Sequence, residues 1–177
     1  MTDEELIRKI KNGEKEGISL LYDRYARLLL GVVTRIIGDK ETAEDILQEV
    51  FVKVWKNIGQ YDSQKSKFYT WLINISRNTA LDKTKTRYFQ HSDKIQSFNP
   101  VVHTNKGEEK GEAVTPAELI DVQDHVAKLD KEYREVLDMV YFNGYTQNET
   151  AKKLNIPLGT VKTRIRKGLK AMRQLYE

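Results

Sequence analysis

Apolar side chains recur at steps of three and four residues along most of this chain, which is the spacing of one buried helix face. The clearest run extends from Ile18 to Ile36 and meets Gly38, a residue type that commonly ends helices in the left-handed conformation. Only three of the 177 residues are proline, so few positions would break a helix. The pattern predicts an all-α fold. It argues against a β-sandwich or barrel, because those folds need many short runs in which apolar and polar residues alternate.

The helical pattern stops once, over residues 89–115, where periodicity is absent and a Lys-Gly-Glu-rich run follows Asn99-Pro100. A polar segment without periodicity is typical of a flexible linker, and a coil of this length would span roughly 30 Å. The sequence therefore predicts two small helical domains. Residues 1–88 would form a four-helix domain, and residues 116–177 a domain with a helix-turn-helix.

The C-terminal segment has the layout of a helix-turn-helix. Thr146 and Glu149 suit a capping box at the start of a short helix, and Pro157 lies in the following turn. From residue 146 onward there are eight Lys and Arg residues against two Glu residues. The second helix separates apolar from basic positions, which suits a helix in the DNA major groove, although surface helices often carry a solvated basic face. Thr163, Arg166, Lys167 and Lys170 share the basic face, and Lys162 lies beside them.

The segment 39–49 has the opposite charge, with five carboxylates and one lysine. Glu41, Asp45 and Glu49 share one helix face, which would repel DNA and could meet a basic protein partner. A solubilising face is a second interpretation. A third is a metal site for phosphodiester cleavage, for which no histidine or second acidic cluster provides support.

The segment 65–87 is basic again, with six cations, one aspartate and several aromatic and amide side chains. Aromatic rings between cations suit single-stranded nucleic acid, because unpaired bases can stack on them. Phe68 and Leu72 are expected in the core, whereas Tyr61 and Tyr69 are expected to be exposed. The alternative is that these aromatic residues simply fill a helical core.

Composition excludes several other classes of function. There is no cysteine, so disulfides, thiolate nucleophiles and zinc–thiolate sites are absent, and the three histidines have no metal-ligand spacing. No apolar run is long enough to cross a bilayer, and the N-terminal Met-Thr-Asp-Glu-Glu is unlike a secretory signal. The composition predicts a soluble protein of a reducing intracellular compartment.

Three motifs occur together and in order. They are Ala43-Glu44-Asp45-Ile46-Leu47-Gln48-Glu49-Val50-Phe51, then Phe68-Tyr69-Thr70-Trp71-Leu72 with Asn78 and Asp82, and finally Gly144-Tyr145-Thr146 through Gly159-Thr160-Val161-Lys162-Thr163-Arg164. The chain thereby resembles the extracytoplasmic-function (ECF) sigma factors of bacterial RNA polymerase over nearly its whole length. Thr150 and Gly168 depart from the pattern, because the family more often has an aliphatic residue and an alanine there.

The resemblance implies a promoter-specificity subunit with two helical domains, sigma regions 2 and 4. Such a subunit would be cytoplasmic, would not be an enzyme, and would need no cofactor, metal or small-molecule substrate. Its partners would be core RNA polymerase, promoter DNA and an anti-sigma factor, which could hold it at the inner face of the membrane. The implied polymerase-binding residues are Glu44, Asp45, Gln48, Glu49 and Phe51. The implied contacts to the melted −10 element are Tyr61, Lys67, Tyr69, Trp71, Arg77, Asn78 and Lys83. The residues implied to read the −35 element are Thr160, Lys162, Thr163, Arg166 and Lys167. The main alternative is a helix-turn-helix repressor or activator with a helical dimerisation domain.

Overall fold

The computed structural model describes residues 2–91 and 126–176, and within these ranges every regular element is helical. The N-terminal part contains α1 (Asp3–Lys11), α2 (Lys15–Ile37), α3 (Lys40–Asn57), a 3₁₀ turn (Ile58–Gln60) and α4 (Phe68–His91). The C-terminal part contains α5 (Lys131–Leu137), a π-helix (Asp138–Phe142), α6 (Gln147–Leu154) and α7 (Leu158–Tyr176). The all-α prediction is confirmed for the described residues.

Several helix ends form as the sequence predicts. Thr2 and Thr146 each accept a hydrogen bond from the backbone of the glutamate three residues later, and that glutamate bonds back to the cap. Gly38 ends α2 with φ of +79°, a backbone conformation that glycine adopts without a Cβ clash. These local signals fix where α1, α2 and α6 begin or end.

Apolar faces of α2, α3 and α4 share one core, in which Val32, Val50 and Leu72 are fully buried. In the C-terminal part, Leu137 of α5 packs against α7 near Gly168. The predicted linker lies largely outside the described residues, although α4 continues to His91, three residues into it. No described helix is long and apolar enough to cross a membrane.

The two parts also touch each other. The π-helix contacts α2 and α4, and Tyr176 at the end of α7 stacks on Tyr25 of α2 with ring centroids 5.7 Å apart. The buried apolar residues of both parts therefore join into one continuous cluster.

Candidate nucleic-acid interface

The basic face of α7, formed by Lys162, Thr163, Arg166 and Lys167, is exposed to solvent along its whole length. On the opposite side Val161 is fully buried and Ile165 and Leu169 nearly so. The Thr163 hydroxyl donates to the Gly159 carbonyl at 2.9 Å. Thr160, another predicted −35 contact, is half-buried. The helix thus presents three cations and one hydroxyl on one side, as major-groove contact requires.

The turn before α7 holds this face in position. Asn155 ends α6 in the left-handed conformation with φ of +51°, and its N–H donates to the α6 carbonyls. Arg164, at the side of α7, pairs with Glu132 of α5 at 2.8 Å. The orientation of the basic face is therefore set by contacts on two sides of the helix.

Of the seven predicted −10 contacts, four are accessible to solvent, two are buried, and the seventh, Arg77, is half-buried. Lys67, Asn78 and Lys83 are exposed, and Trp71 is half-buried with its ring stacked on Phe68. The prediction that Tyr61 and Tyr69 are exposed is wrong, since they retain only 9% and 2% of their surface.

Both tyrosines are buried because aromatic rings surround them. Tyr61 lies 5.3 Å from the ring centroids of both Phe68 and Trp71, and its hydroxyl donates to the Ser66 carbonyl. Tyr69 lies 5.6 Å from the ring of Tyr176. These aromatic side chains fill a core, so they do not offer stacking surfaces for bases in this arrangement.

Arg77, another predicted −10 contact, is half-buried and already engaged. Its Nε and Nη2 donate to the Val140 carbonyl at 2.9 and 2.6 Å, and its Nη1 donates to Asn78 at 2.9 Å. Burial lowers the pKa of this guanidinium from its ordinary value. Arg77 therefore contacts the C-terminal part of the same chain at the place predicted to meet DNA.

The acidic face of α3, formed by Glu44, Asp45, Gln48 and Glu49, is exposed. Glu49 pairs with Lys53 at 2.9 Å, whereas Glu44 and Asp45 form no ion pair with a described residue. Phe51, also among the predicted polymerase contacts, keeps only 8% of its surface, so little of its side chain is accessible in this arrangement.

A metal site on α3 is not supported by the geometry. Glu41 and Glu49 are eight residues apart on one helix, which separates them by about 12 Å along its axis. Among the described residues, no three histidine or carboxylate side chains are grouped so that they could hold a metal ion.

Sequence reasoning missed three exposed apolar side chains, Tyr22 of α2 with Val52 and Trp55 of α3 (the apolar patch). Tyr22 and Val52 retain 52% and 50% of their surface, and the Tyr22 ring lies 5.1 Å from that of Phe51. Val52 and Trp55 lie three residues apart, outside the stripe that faces the core. Their position off that stripe is the signal that could have identified them.

Comparison with known proteins assigns the chain to a family. Residues 21–88 match the model for Sigma-70 region 2, and residues 119–172 match that for Sigma-70, region 4. The chain is 31% identical to the ECF RNA polymerase sigma factor SigW of Bacillus subtilis (strain 168), covering 95% of this chain and 93% of that protein. The chain belongs to the ECF sigma factor family. The resemblance noted in the sequence is thereby confirmed.

One further curated relative and one solved structure are also similar to this chain. The RNA polymerase sigma-H factor of Pseudomonas aeruginosa is 29% identical to this ECF sigma factor, over 92% of this chain and 88% of that protein. Among solved structures, Rhodobacter sphaeroides SigE in complex with the anti-sigma ChrR aligns with a TM-score of 0.49 and 22% identity, covering 96% and 94% of the two chains. As a sigma factor, the protein directs core RNA polymerase to promoters and so acts in transcription initiation.

Proposed function

We propose that this ECF sigma factor binds core polymerase through α3 and carries α4 and α7 to two separate promoter elements. The observation that carries the proposal is the separation of charge among exposed faces. The acidic face of α3 would repel DNA, whereas the basic face of α7 would repel a basic protein surface. Residues 1–88 would act as region 2 and residues 116–177 as region 4. In this role the protein is an initiation factor and catalyses no reaction.

The polymerase-binding surface would combine the acidic face with the apolar patch. Stable protein interfaces place apolar and aromatic side chains at the centre and charged side chains at the rim. Tyr22, Val52 and Trp55 supply the apolar part, and Glu44 and Asp45 supply charges that no described residue neutralises. We therefore expect a partner surface with exposed apolar and basic side chains.

Recognition of the −35 duplex is assigned to the basic face of α7, with Thr160 at its start. The exposed side chains of Lys162, Arg166 and Lys167 can reach phosphates or base edges. The −10 strand is assigned to the exposed side of α4, through Lys67, Asn78, Lys83 and the accessible part of Trp71. Arg77 would join them once it is released from Val140.

An anti-sigma factor is the proposed inhibitor. Family membership supports this partner. The apolar patch also supports it, because an inhibitor bound to the apolar patch would block polymerase binding there. We place the sigma factor in the cytoplasm, where promoters are read, with a membrane-anchored inhibitor able to hold it at the inner face of the membrane.

Charge reversal on α3 tests the polymerase contact. We expect Glu44→Lys with Asp45→Lys to abolish co-purification with core polymerase while the helical circular dichroism spectrum stays unchanged, because both side chains are exposed. The matched control is Glu4→Lys with Asp130→Lys, which makes the same charge change on one exposed glutamate and one exposed aspartate outside α3. Equal retention of both double variants by the polymerase would refute the assignment.

Salt dependence tests the DNA contact of α7. Each phosphate contact adds about 0.9 to the slope of log affinity against log salt concentration, so Arg166→Ala with Lys167→Ala should lower the slope by up to about 1.8. The polymerase complex is titrated with a duplex at several salt concentrations. Lys128→Ala with Lys131→Ala, two exposed cations outside α7, is the control and should leave the slope unchanged. An unchanged slope in the α7 variant would contradict the proposal.

A further inference from the structure

Lys53 of α3 contacts side chains on both α3 and α4. Its ammonium pairs with the Glu49 carboxylate at 2.9 Å, one turn earlier on α3, and donates to the Thr79 hydroxyl of α4 at 3.3 Å. The Thr79 hydroxyl itself donates to the Ile75 carbonyl at 2.8 Å, so its oxygen can still accept. The side chains of Glu49, Lys53 and Thr79 thus form one continuous series of polar contacts between the two helices.

The two ends of this series belong to the two surfaces assigned above. Glu49 is one of the proposed polymerase contacts on the acidic face of α3, and 47% of its side chain is exposed. Thr79 is buried, but it directly follows Asn78, an exposed candidate for the −10 strand. Lys53 therefore links a side chain that would meet polymerase to the helix that would meet the strand.

Lys53 is accessible enough to change partners, since 38% of its side chain is exposed. An ion pair at this spacing on a helix surface is weak, because water screens it and two long side chains must be held in one geometry. A basic side chain of polymerase that contacts Glu49 inside an interface has less water around it and interacts more strongly. Such a side chain would displace the Lys53 ammonium and leave it beside Asn78.

We propose that Lys53 is an additional contact to the phosphates of the −10 strand, and that Glu49 neutralises it in the free chain. When polymerase binds Glu49, the Lys53 ammonium becomes available to a phosphate next to Asn78. Docking of polymerase on α3 thereby adds one positive charge to the strand-binding surface of α4. This inference rests on the proposed functions of the α3 and α4 surfaces.

A double-variant cycle on Glu49 and Lys53 in the free full-length chain tests the neutralisation. Binding of a mixed-sequence single-stranded oligodeoxynucleotide is followed by fluorescence anisotropy at several salt concentrations. Glu49→Gln should release Lys53, so the slope of log affinity against log salt concentration should steepen by about 0.7, the value for one phosphate contact to a single strand. We expect binding at low salt to tighten by about two- to fivefold.

The other variants separate this contact from the general effect of charge. Lys53→Met keeps the aliphatic stem and should leave the parent slope unchanged, whereas its addition to Glu49→Gln should remove the gain. Glu44→Gln is the matched control, because it removes the same charge from an exposed residue of the acidic face that has no ion pair with a described residue. It should leave the slope unchanged, and circular dichroism checks that every variant keeps its helical content.

In the complex with core polymerase the expectation for Lys53→Met is different. Polymerase then engages Glu49, so Lys53→Met should reduce the slope for the same oligonucleotide by about 0.7. Lys15→Met, at an exposed lysine of α2 outside both surfaces, is the control and should leave the slope unchanged.

A Glu49→Gln chain that binds no more tightly than the parent, or a gain that survives the addition of Lys53→Met, would overturn the neutralisation. An unchanged slope for Lys53→Met in the polymerase complex would overturn the strand contact. Failure of the proposed function gives a different result, because Lys67→Ala with Lys83→Ala would then leave the slope of the polymerase complex unchanged. A lowered slope for that pair, together with additive effects of Glu49→Gln and Lys53→Met, refutes this inference alone.

Discussion

A buried hydroxyl in α6 offers the sharpest stability prediction. Thr150 is fully buried in the helix-turn-helix, and its hydroxyl oxygen has no hydrogen-bond partner in the described part of the chain. A hydroxyl removed from water without a partner costs roughly 1–3 kcal/mol. Complete burial without a hydrogen-bond partner is a physical reason to expect an aliphatic side chain to be more stable at this position.

Thr150→Val replaces that hydroxyl with a methyl group of similar size, and the two residues have similar helix propensities. We expect a gain of about 1 kcal/mol in unfolding free energy, the lower end of the desolvation range, because the added methyl must still fit a packed site. For a chain of this length that gain raises Tm by roughly 2–4 °C.

Thr150→Ser is the matched control, because it keeps the hydroxyl and removes the methyl group. It should be about 1 kcal/mol less stable than the parent chain, as for other single-methyl deletions in cores. Urea unfolding followed by helical circular dichroism gives both values. A valine variant no more stable than the parent would refute the argument that the hydroxyl lacks a partner.

Two further predictions concern the same domain. A Cβ at Gly168 would lie 2.8 Å from a Leu137 methyl, whereas one at Gly159 meets nothing within 4 Å. Gly168→Ala should therefore be about 1–3 kcal/mol less stable than Gly159→Ala in urea unfolding, and equal stability would contradict the close packing of α5 on α7. The Thr146 backbone N–H and hydroxyl hold the pKa of Glu149 below its ordinary value, so the stability it contributes is present at neutral pH and is lost as pH falls through that lowered pKa. Thr146→Val should raise the pKa of Glu149 in an NMR titration, and an unchanged value would exclude the hydroxyl as a cause.

Features that depend on neighbours in the sequence were predictable. The capping boxes at Thr2 and Thr146, the glycine stop at Gly38 and the two faces of α7 each follow from residues within two turns of one another. Their geometry is local, so spacing alone defines it. The same reasoning found the exposed acidic face of α3.

Features that depend on distant residues were not predictable. Tyr69 is buried partly by Tyr176, more than one hundred residues later. Arg77 is held by the Val140 carbonyl, sixty-three residues later, near the end of the π-helix. An aromatic residue among cations fits both a core and a base-stacking surface, and only the tertiary packing decides between them. Charge was therefore a better guide to which side chains are exposed than aromatic content was.

The central claim is that this chain gives core polymerase its choice of promoter through oppositely charged faces on α3 and α7. In vitro transcription on a library of genomic fragments, with core polymerase alone or with the chain added, tests it most directly. We expect new start sites that share two upstream sequence blocks at fixed spacing, and we expect them to disappear with the Glu44→Lys/Asp45→Lys variant. A folded chain that yields no start site beyond those of core polymerase alone would contradict the claim.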